Sequence, residues 1–282
     1  MKIFSLVALA MIAFAANSVL TRIGVAHYGM DAFVFAAIRV AAGAITLVAV
    51  VVLRGQSPFD GMLRRPAGAV ALAVYMIGFS WAYLSLGAGL GALILFGALQ
   101  IMLFGWAVFR GQHVPAMRWI GAACAVIGLT VLLWPAGAVV VPLGGAFAML
   151  TATAGWAVYT VLGQGVRDPL VVTAGNFILC FPLVVLGLLF ASDAPVVVGG
   201  VVCAVIAGAV TSGLGYALWY RVLPSLPTTT ASVAQLSVPV IAVLGGVIFL
   251  AEPVSLRMAV AGILVLGGIA VSSAQAAPRG RN

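Results

Sequence analysis

The sequence predicts an all-α integral membrane protein of ten transmembrane helices arranged as two inverted five-helix repeats, and three observations predict it. Of its 282 residues, 65% are hydrophobic and only 6% charged, against about a quarter charged in a soluble domain, so lipid must serve as solvent. Its apolar runs suffice for ten spans at roughly 20 residues each. Finally, the chain repeats itself at an offset of 139 residues without a gap: Ala15, Val19, Thr21 and Gly24 match Ala154, Val158, Thr160 and Gly163, and Leu84, Ala92, Arg118, Val126 and Gly128 match Leu223, Ala231, Arg257, Val265 and Gly267. The halves are 1–137 and 138–282, one membrane domain.

Gly, Pro and charge clusters divide the apolar sequence into runs at 3–23, 32–53, 67–86, 89–109, 118–134, 143–162, 170–191, 198–223, 228–251 and 257–274. An open sheet cannot cross lipid with unpaired edges, and these runs lack the alternation of a barrel, so helices are expected throughout. The first run imitates a signal peptide, with Lys2 and the small triplet Ala13-Phe14-Ala15, but the repeat gives it a partner in the second half and it is read as a span. With the N-terminus inside, the inner segments carry Lys2, Arg54, Arg64, Arg65, Arg110, Arg118, Arg167, Arg221, Arg279 and Arg281, and the outer ones only Arg22 and Arg257. That asymmetry places both termini in the cytoplasm, in a bacterial inner membrane.

A five-span unit followed by its copy inserts upside down. Inverted repeats are a transporter architecture, with the substrate near the mid-plane and access alternating between sides. The net charge of +8 is spread between the runs, which reads as topology and not as a nucleic-acid patch. Cys124, Cys180 and Cys203 stand singly and suggest small core residues, with no metal site or cofactor. An intramembrane enzyme would need a His beside a nucleophile or paired carboxylates; His27 and His113 fall in loops on opposite sides, and the five acidic residues fall at span ends. The partners implied are a small-molecule substrate and the lipid bilayer, with no oligomeric state specified, a monomer included.

The small-residue first helix around Ala15-Ala16-Asn17-Ser18, Arg39 in the second, and the stretch from Thr228 through Ser232, Gln235 and Pro239 to Glu252-Pro253, Gly262 and Gly267 resemble the drug/metabolite transporter superfamily. The resemblance is to its EamA-type ten-helix exporters, most of all the YddG type, which implies export of aromatic amino acids and related compounds. In the first half, His113 stands where the repeat places Glu252, and Gln100 where it places Pro239.

Polar groups inside spans are candidates by default because lipid offers them no partner. In the ninth run Ser232, Gln235 and Pro239 share a helical face, and Pro239 frees the Gln235 carbonyl, making a hinge beside two polar groups. Met76 and Ser80 share a face with Tyr83 in the third run, as do Ser212, Tyr216 and Trp219 in the eighth. Trp156 takes the repeat position of Asn17, and Tyr159 follows it. Asn17, Met76, Ser80, Trp156, Tyr159, Tyr216, Ser232, Gln235 and Arg39 are therefore the expected substrate-binding residues, with Pro239 as hinge. Tyr83, Trp219 and Tyr220 are expected in the interfacial belts. For Arg39, a substrate carboxylate, a pair with Asp31 and snorkelling all remain open. With one cation in the spans, a neutral or zwitterionic substrate is expected. Nucleotide-sugar or drug transport is the alternative, and with no titratable group inside a span, movement should follow the substrate gradient.

Overall fold

A computed structural model describes residues 2–60, 66–112, 114–134, 141–226 and 228–274, which form helices and no strands. The helices are α1 (Lys2–Arg22), α2 (Ala32–Leu53), α3 (Pro66–Ala82), α4 (Ala88–Phe109), α5 (Ala116–Leu133), α6 (Leu143–Leu162), α7 (Pro169–Leu186), α8 (Val198–Ile206), α9 (Gly215–Val222), α10 (Thr228–Gln235), α11 (Ser237–Leu250) and α12 (Leu256–Ala274). Among the described residues seven helical stretches are long and apolar enough to cross a bilayer, and three shorter apolar helices, Pro66–Ala82, Ser237–Leu250 and Leu256–Ser272, stand at the third, ninth and tenth runs.

Two runs are broken, the eighth, expected to be continuous, and the ninth, where a hinge at Pro239 is expected. In the eighth, a π-helical stretch Ala207–Leu214 joins α8 to α9. Gly208 explains it locally: a Cβ there would overlap the Arg39 carbonyl of α2, so the wider turn is pressed directly against its neighbour, and π segments are frequent at functional sites. The ninth run breaks at Leu236, where Ser237 Oγ donates to the Ala234 carbonyl at 2.6 Å, three residues before Pro239, whose missing N–H and ring disfavour an unbroken helix.

Helix α6 packs on α3 and α4 much as α1 packs on α9 and α11, while α2 packs on α7, α4 on α11 and α5 on α12. The last crossing is close because a Cβ on Gly121 would strike the Gly268 carbonyl and one on Gly268 the Gly121 carbonyl, the small-residue contact that membrane helices use in place of a hydrophobic driving force. Gly267, by contrast, meets nothing. Cys180 and Cys203 are buried, Cys124 is half-buried, and all three are free thiols.

The α2–α7 pair is tied at both ends. At one, Asp31 Oδ1 caps α2 through the Phe33 and Val34 N–H groups while Oδ2 accepts from Ser192 N and Oγ, both at 2.9 Å. At the other, Asp168 Oδ1 caps α7 through Leu170 and Val171, and Oδ2 accepts from Gln56 at 2.8 Å with Arg54 at 3.7 Å. Partial burial pushes each carboxyl up, but the hydrogen bonds outweigh it and hold both below the usual carboxylate range. Asp31 thus serves Ser192 and its own helix, and does not pair with Arg39.

Candidate functional site

One cavity of about 580 Å³ lies between α1, α3, α4, α6, α7, α9 and α10. Its wall includes Pro66, Gly68, Gly163, Gln164, Pro169 and Leu223, so it reaches the end of the bundle where the sequence concentrates Arg54, Arg167 and Arg221.

Its depth is lined by rings. Trp156 is the hub, 4.9 Å from Tyr75, 5.4 Å from Tyr159 and 5.9 Å from Tyr216, the last two stacked. Tyr75 continues to Phe79 at 5.2 Å and Phe79 to Tyr83 at 4.8 Å, while Phe14 meets Tyr216 and Trp219. Polar groups punctuate this surface: Tyr159 Oη donates to Thr173 Oγ1 at 3.1 Å and Asn176 Nδ2 reaches Tyr159 Oη at 3.5 Å. Asn17 Oδ1 is buried without a hydrogen-bond partner among the described residues. Aromatic area with a few fixed polar groups suits a small molecule with a flat apolar part and a polar head.

Of the residues expected from sequence, Asn17, Trp156, Tyr159, Tyr216 and Gln235 are brought together on this wall. Met76 and Ser80 are not among its lining residues; both are fully buried, and Ser80 Oγ donates to the Met76 carbonyl at 2.9 Å. The cavity face of α3 is instead Tyr75 and Phe79, one position away. A hydroxyl and a thioether marked the wrong stripe, and the stripe that meets the cavity carries Tyr75 and Phe79. Arg39 is also absent from the lining: it is completely buried behind Tyr75 and Phe79, which rules out snorkelling. The Ser232 side chain and His113 lie outside the described residues. Tyr83 and Trp219 are buried and Tyr220 half-buried, the latter two on the cavity wall. Phe14, Tyr75, Phe79 and Thr173 are wall residues that sequence reasoning missed, three of them because aromatic residues in an apolar run carry no contrast.

The end opposite the mouth is closed by polar contacts. Arg22 Nε lies 3.5 Å from Glu252 Oε1, and Arg22 Nη1 donates to the carbonyls of Tyr83 at 2.8 Å and Leu84 at 3.0 Å. Both Glu252 oxygens accept from the Ala88 N–H at the start of α4, at 3.0 and 2.8 Å. The carboxylate fits because Gly87 and Gly246 leave the space: a Cβ on either would lie 2.8 or 2.5 Å from Oε2. Ala251 aims it by taking a left-handed conformation, φ 51°, so that Glu252 N donates back to the Gly246 carbonyl. Glu252 thereby joins α1, α4 and α11, and Arg22 ties them to the turn that follows α3.

Residues 143–274 match the model of the EamA-like transporter family. The chain is similar to an uncharacterized protein of Pseudomonas aeruginosa, 44% identical over 94% of this chain and 92% of the relative, and to an uncharacterized transporter of Archaeoglobus fulgidus, 27% identical over 72% of this chain and 74% of that one. A crystal structure of a protein superposes with a TM-score of 0.67 at 20% identity, covering 94% of this chain and 98% of that one, a likeness of fold.

Proposed function

The chain belongs to the EamA-like transporter family, and on that premise we propose that it is an alternating-access exporter of small neutral or zwitterionic metabolites, aromatic amino acids being the class tested first. The observation that carries the reading is the aromatic cavity, which has a mouth at one end and the Arg22–Glu252 closure at the other. In this reading the structure is the inward-open state of a ten-span bundle, with its mouth and both termini on the cytoplasmic side of a bacterial inner membrane.

The inverted repeat supports it in three ways. The packing of α6 on α3 and α4 is matched by that of α1 on α9 and α11. Positions 139 apart, Asn17 with Trp156 and Phe96 with Gln235, line the same cavity. And the repeat mates of Tyr83 and Leu84, which hold the closed end, are Val222 and Leu223, the latter on the open mouth. Arg22 has Val161 as its mate and Glu252 has His113, so the mouth lacks the same ion pair, and an inward-open resting state follows. The helix break at Leu236 beside Gln235 and Pro239 is the proposed hinge.

Two measurements test this. A reporter fused after Asn282 should be active in the cytoplasm; activity confined to the other side would overturn the orientation and the inverted repeat with it. In proteoliposomes without ion gradients, labelled phenylalanine should flow down its own gradient faster than threonine or a sugar nucleotide: the five carboxylates lie outside the helices, and His27, expected in a loop, is the exposed last residue of the π-helical turn that ends the first span, away from the cavity wall. Uphill accumulation driven by an imposed pH gradient and lost in Glu252→Gln would instead locate coupling at the closed end.

A further inference from the structure

Arg39 is completely buried about two turns into α2, and its Nε and Nη1 have no hydrogen-bond partner among the described residues. Nη2 reaches only the Tyr75 hydroxyl, at 3.5 Å, the outer limit of a hydrogen bond. The guanidinium lies against the rings of Phe79 and Tyr75, 4.9 and 5.6 Å from their centroids. Ring faces attract a cation, but they do not replace the hydrogen bonds and counter-charge that a guanidinium loses on leaving water. Nor can the group neutralise itself, since arginine stays protonated in proteins.

The chain cannot supply the missing charge. Its five acidic side chains are Asp31, Asp60, Asp168, Asp193 and Glu252. Asp31, Asp168 and Glu252 are held by Ser192, by Gln56 with Arg54, and by Arg22 with Ala88. Asp60 and Asp193 lie in connections outside the helices. A counter-ion for Arg39 therefore has to arrive from outside the protein. The cavity offers the approach, because Tyr75 and Phe79 form both its wall and the cover over Arg39. The cover also points toward the closed end: Phe79 touches Tyr83, whose hydroxyl contacts the carbonyl of Ala88, the residue that Glu252 caps.

We infer that Arg39 is an anion subsite of the cavity, and that the transported molecule carries a single carboxylate which displaces the Tyr75 hydroxyl and binds Nη1 and Nη2 while its apolar part lies on the Trp156–Tyr216 stack. The inference rests on the carrier reading above and redraws its substrate class: uncharged molecules without a carboxylate drop out, zwitterions stay, and simple organic monocarboxylate anions are added. Parallel N–H groups of a guanidinium fit two carboxylate oxygens. One fixed cation balances one negative charge, whereas a dianionic phosphate would leave an excess in a low-dielectric site.

The test uses the full-length protein and two acid–amide pairs, 3-phenylpropionate with 3-phenylpropionamide and L-phenylalanine with L-phenylalaninamide. Binding is read by isothermal calorimetry and by protection against thermal unfolding. Each acid should bind about ten-fold or more tightly than its amide, the size of a charge-assisted hydrogen-bond contribution. Arg39→Gln should bring acid and amide within about two-fold of one another, and Arg39→Lys should keep part of the preference. The melting temperature of ligand-free Arg39→Gln should hold or rise, since a buried unpaired charge has been removed; a residue with a purely structural role would lower it. If Arg39→Gln does not fold, Tyr75→Phe carries the test: losing the hydroxyl that the carboxylate displaces should hold or widen the preference for each acid over its amide. Acids and amides that bind alike, no acid binding at all, an acid preference that survives Arg39→Gln, or an acid preference that narrows in Tyr75→Phe would each overturn the inference. Flux in proteoliposomes separates the two readings. Amides carried as fast as acids would remove the subsite and leave the carrier, whereas acids that bind without crossing would do the reverse.

Discussion

Trp156→Ala is expected to lower transport of labelled phenylalanine in proteoliposomes by about ten-fold, equivalent to roughly 1.4 kcal/mol, while folded protein still reaches the membrane. The indole touches Tyr75, Tyr159 and Tyr216, and such ring pairs contribute roughly 0.5–1.5 kcal/mol each beyond area burial. Its removal takes away both the surface on which a substrate ring stacks and the wedge that keeps three tyrosines in register. Because the side chain is only half-buried, the stability cost should fall below the roughly 3–5 kcal/mol of a core Trp→Ala change. Trp156→Phe, which restores a face of smaller area, should recover part of the flux. The companion changes Asn17→Ala and Gln235→Ala remove polar groups from the same wall and should also slow transport. If all three alanine variants run at the wild-type rate, the cavity is not the transport site.

The second large effect is expected from Glu252→Ala, which removes the carboxylate that holds Arg22 and the Ala88 N–H together. Hydrogen bonds to charged groups contribute roughly 1.5–3 kcal/mol each, and loss of one such increment shifts a two-state equilibrium by about ten-fold or more. In a protein whose native Cys124, Cys180 and Cys203 have been replaced, a single cysteine at Phe96, on the cavity wall, reports the shift. In the wild-type background a membrane-impermeant maleimide should label it from the mouth and scarcely from the side of Arg22. With Glu252→Ala, labelling from the Arg22 side should rise about ten-fold. Glu252→Gln keeps an acceptor for Ala88 but loses the charge facing Arg22, and should fall between. Unchanged accessibility in both variants would show that the contact caps α4 without closing the pathway.

Residues of the cavity wall differed in how plainly the sequence announced them. Asn17, Trp156, Tyr159, Tyr216 and Gln235 stood out because a polar or amphipathic side chain in an apolar run is conspicuous, and the repeat paired Asn17 with Trp156. Phe14, Tyr75 and Phe79 did not, because an aromatic residue costs nothing in lipid whichever way it points. Met76 and Ser80 show the converse: Ser80 is satisfied by its own helix through the Met76 carbonyl, so its polarity needs no cavity.

The sequence by itself determined the class of the protein. A chain with 6% charged residues and apolar runs of membrane-spanning length has to pair its backbone groups within each segment, and helices follow from that requirement alone. The placement of breaks near Pro239 and the clustering of polar and aromatic side chains in a few runs were legible for the same reason, since they are properties of one segment. Only the tertiary structure decided which face of α3 meets the cavity, that Glu252 reaches Arg22 and Ala88, that Asp31 turns to Ser192, and that Arg39 has no carboxylate partner among the described residues. Those outcomes depend on helix rotation and on contacts between residues more than a hundred positions apart, such as Ala88 with Glu252 or Gln56 with Asp168. In a composition so uniformly apolar, hydrophobic periodicity cannot set the rotation of a helix, because lipid accepts every face; close packing at Gly121, Gly208 and Gly268 sets it instead.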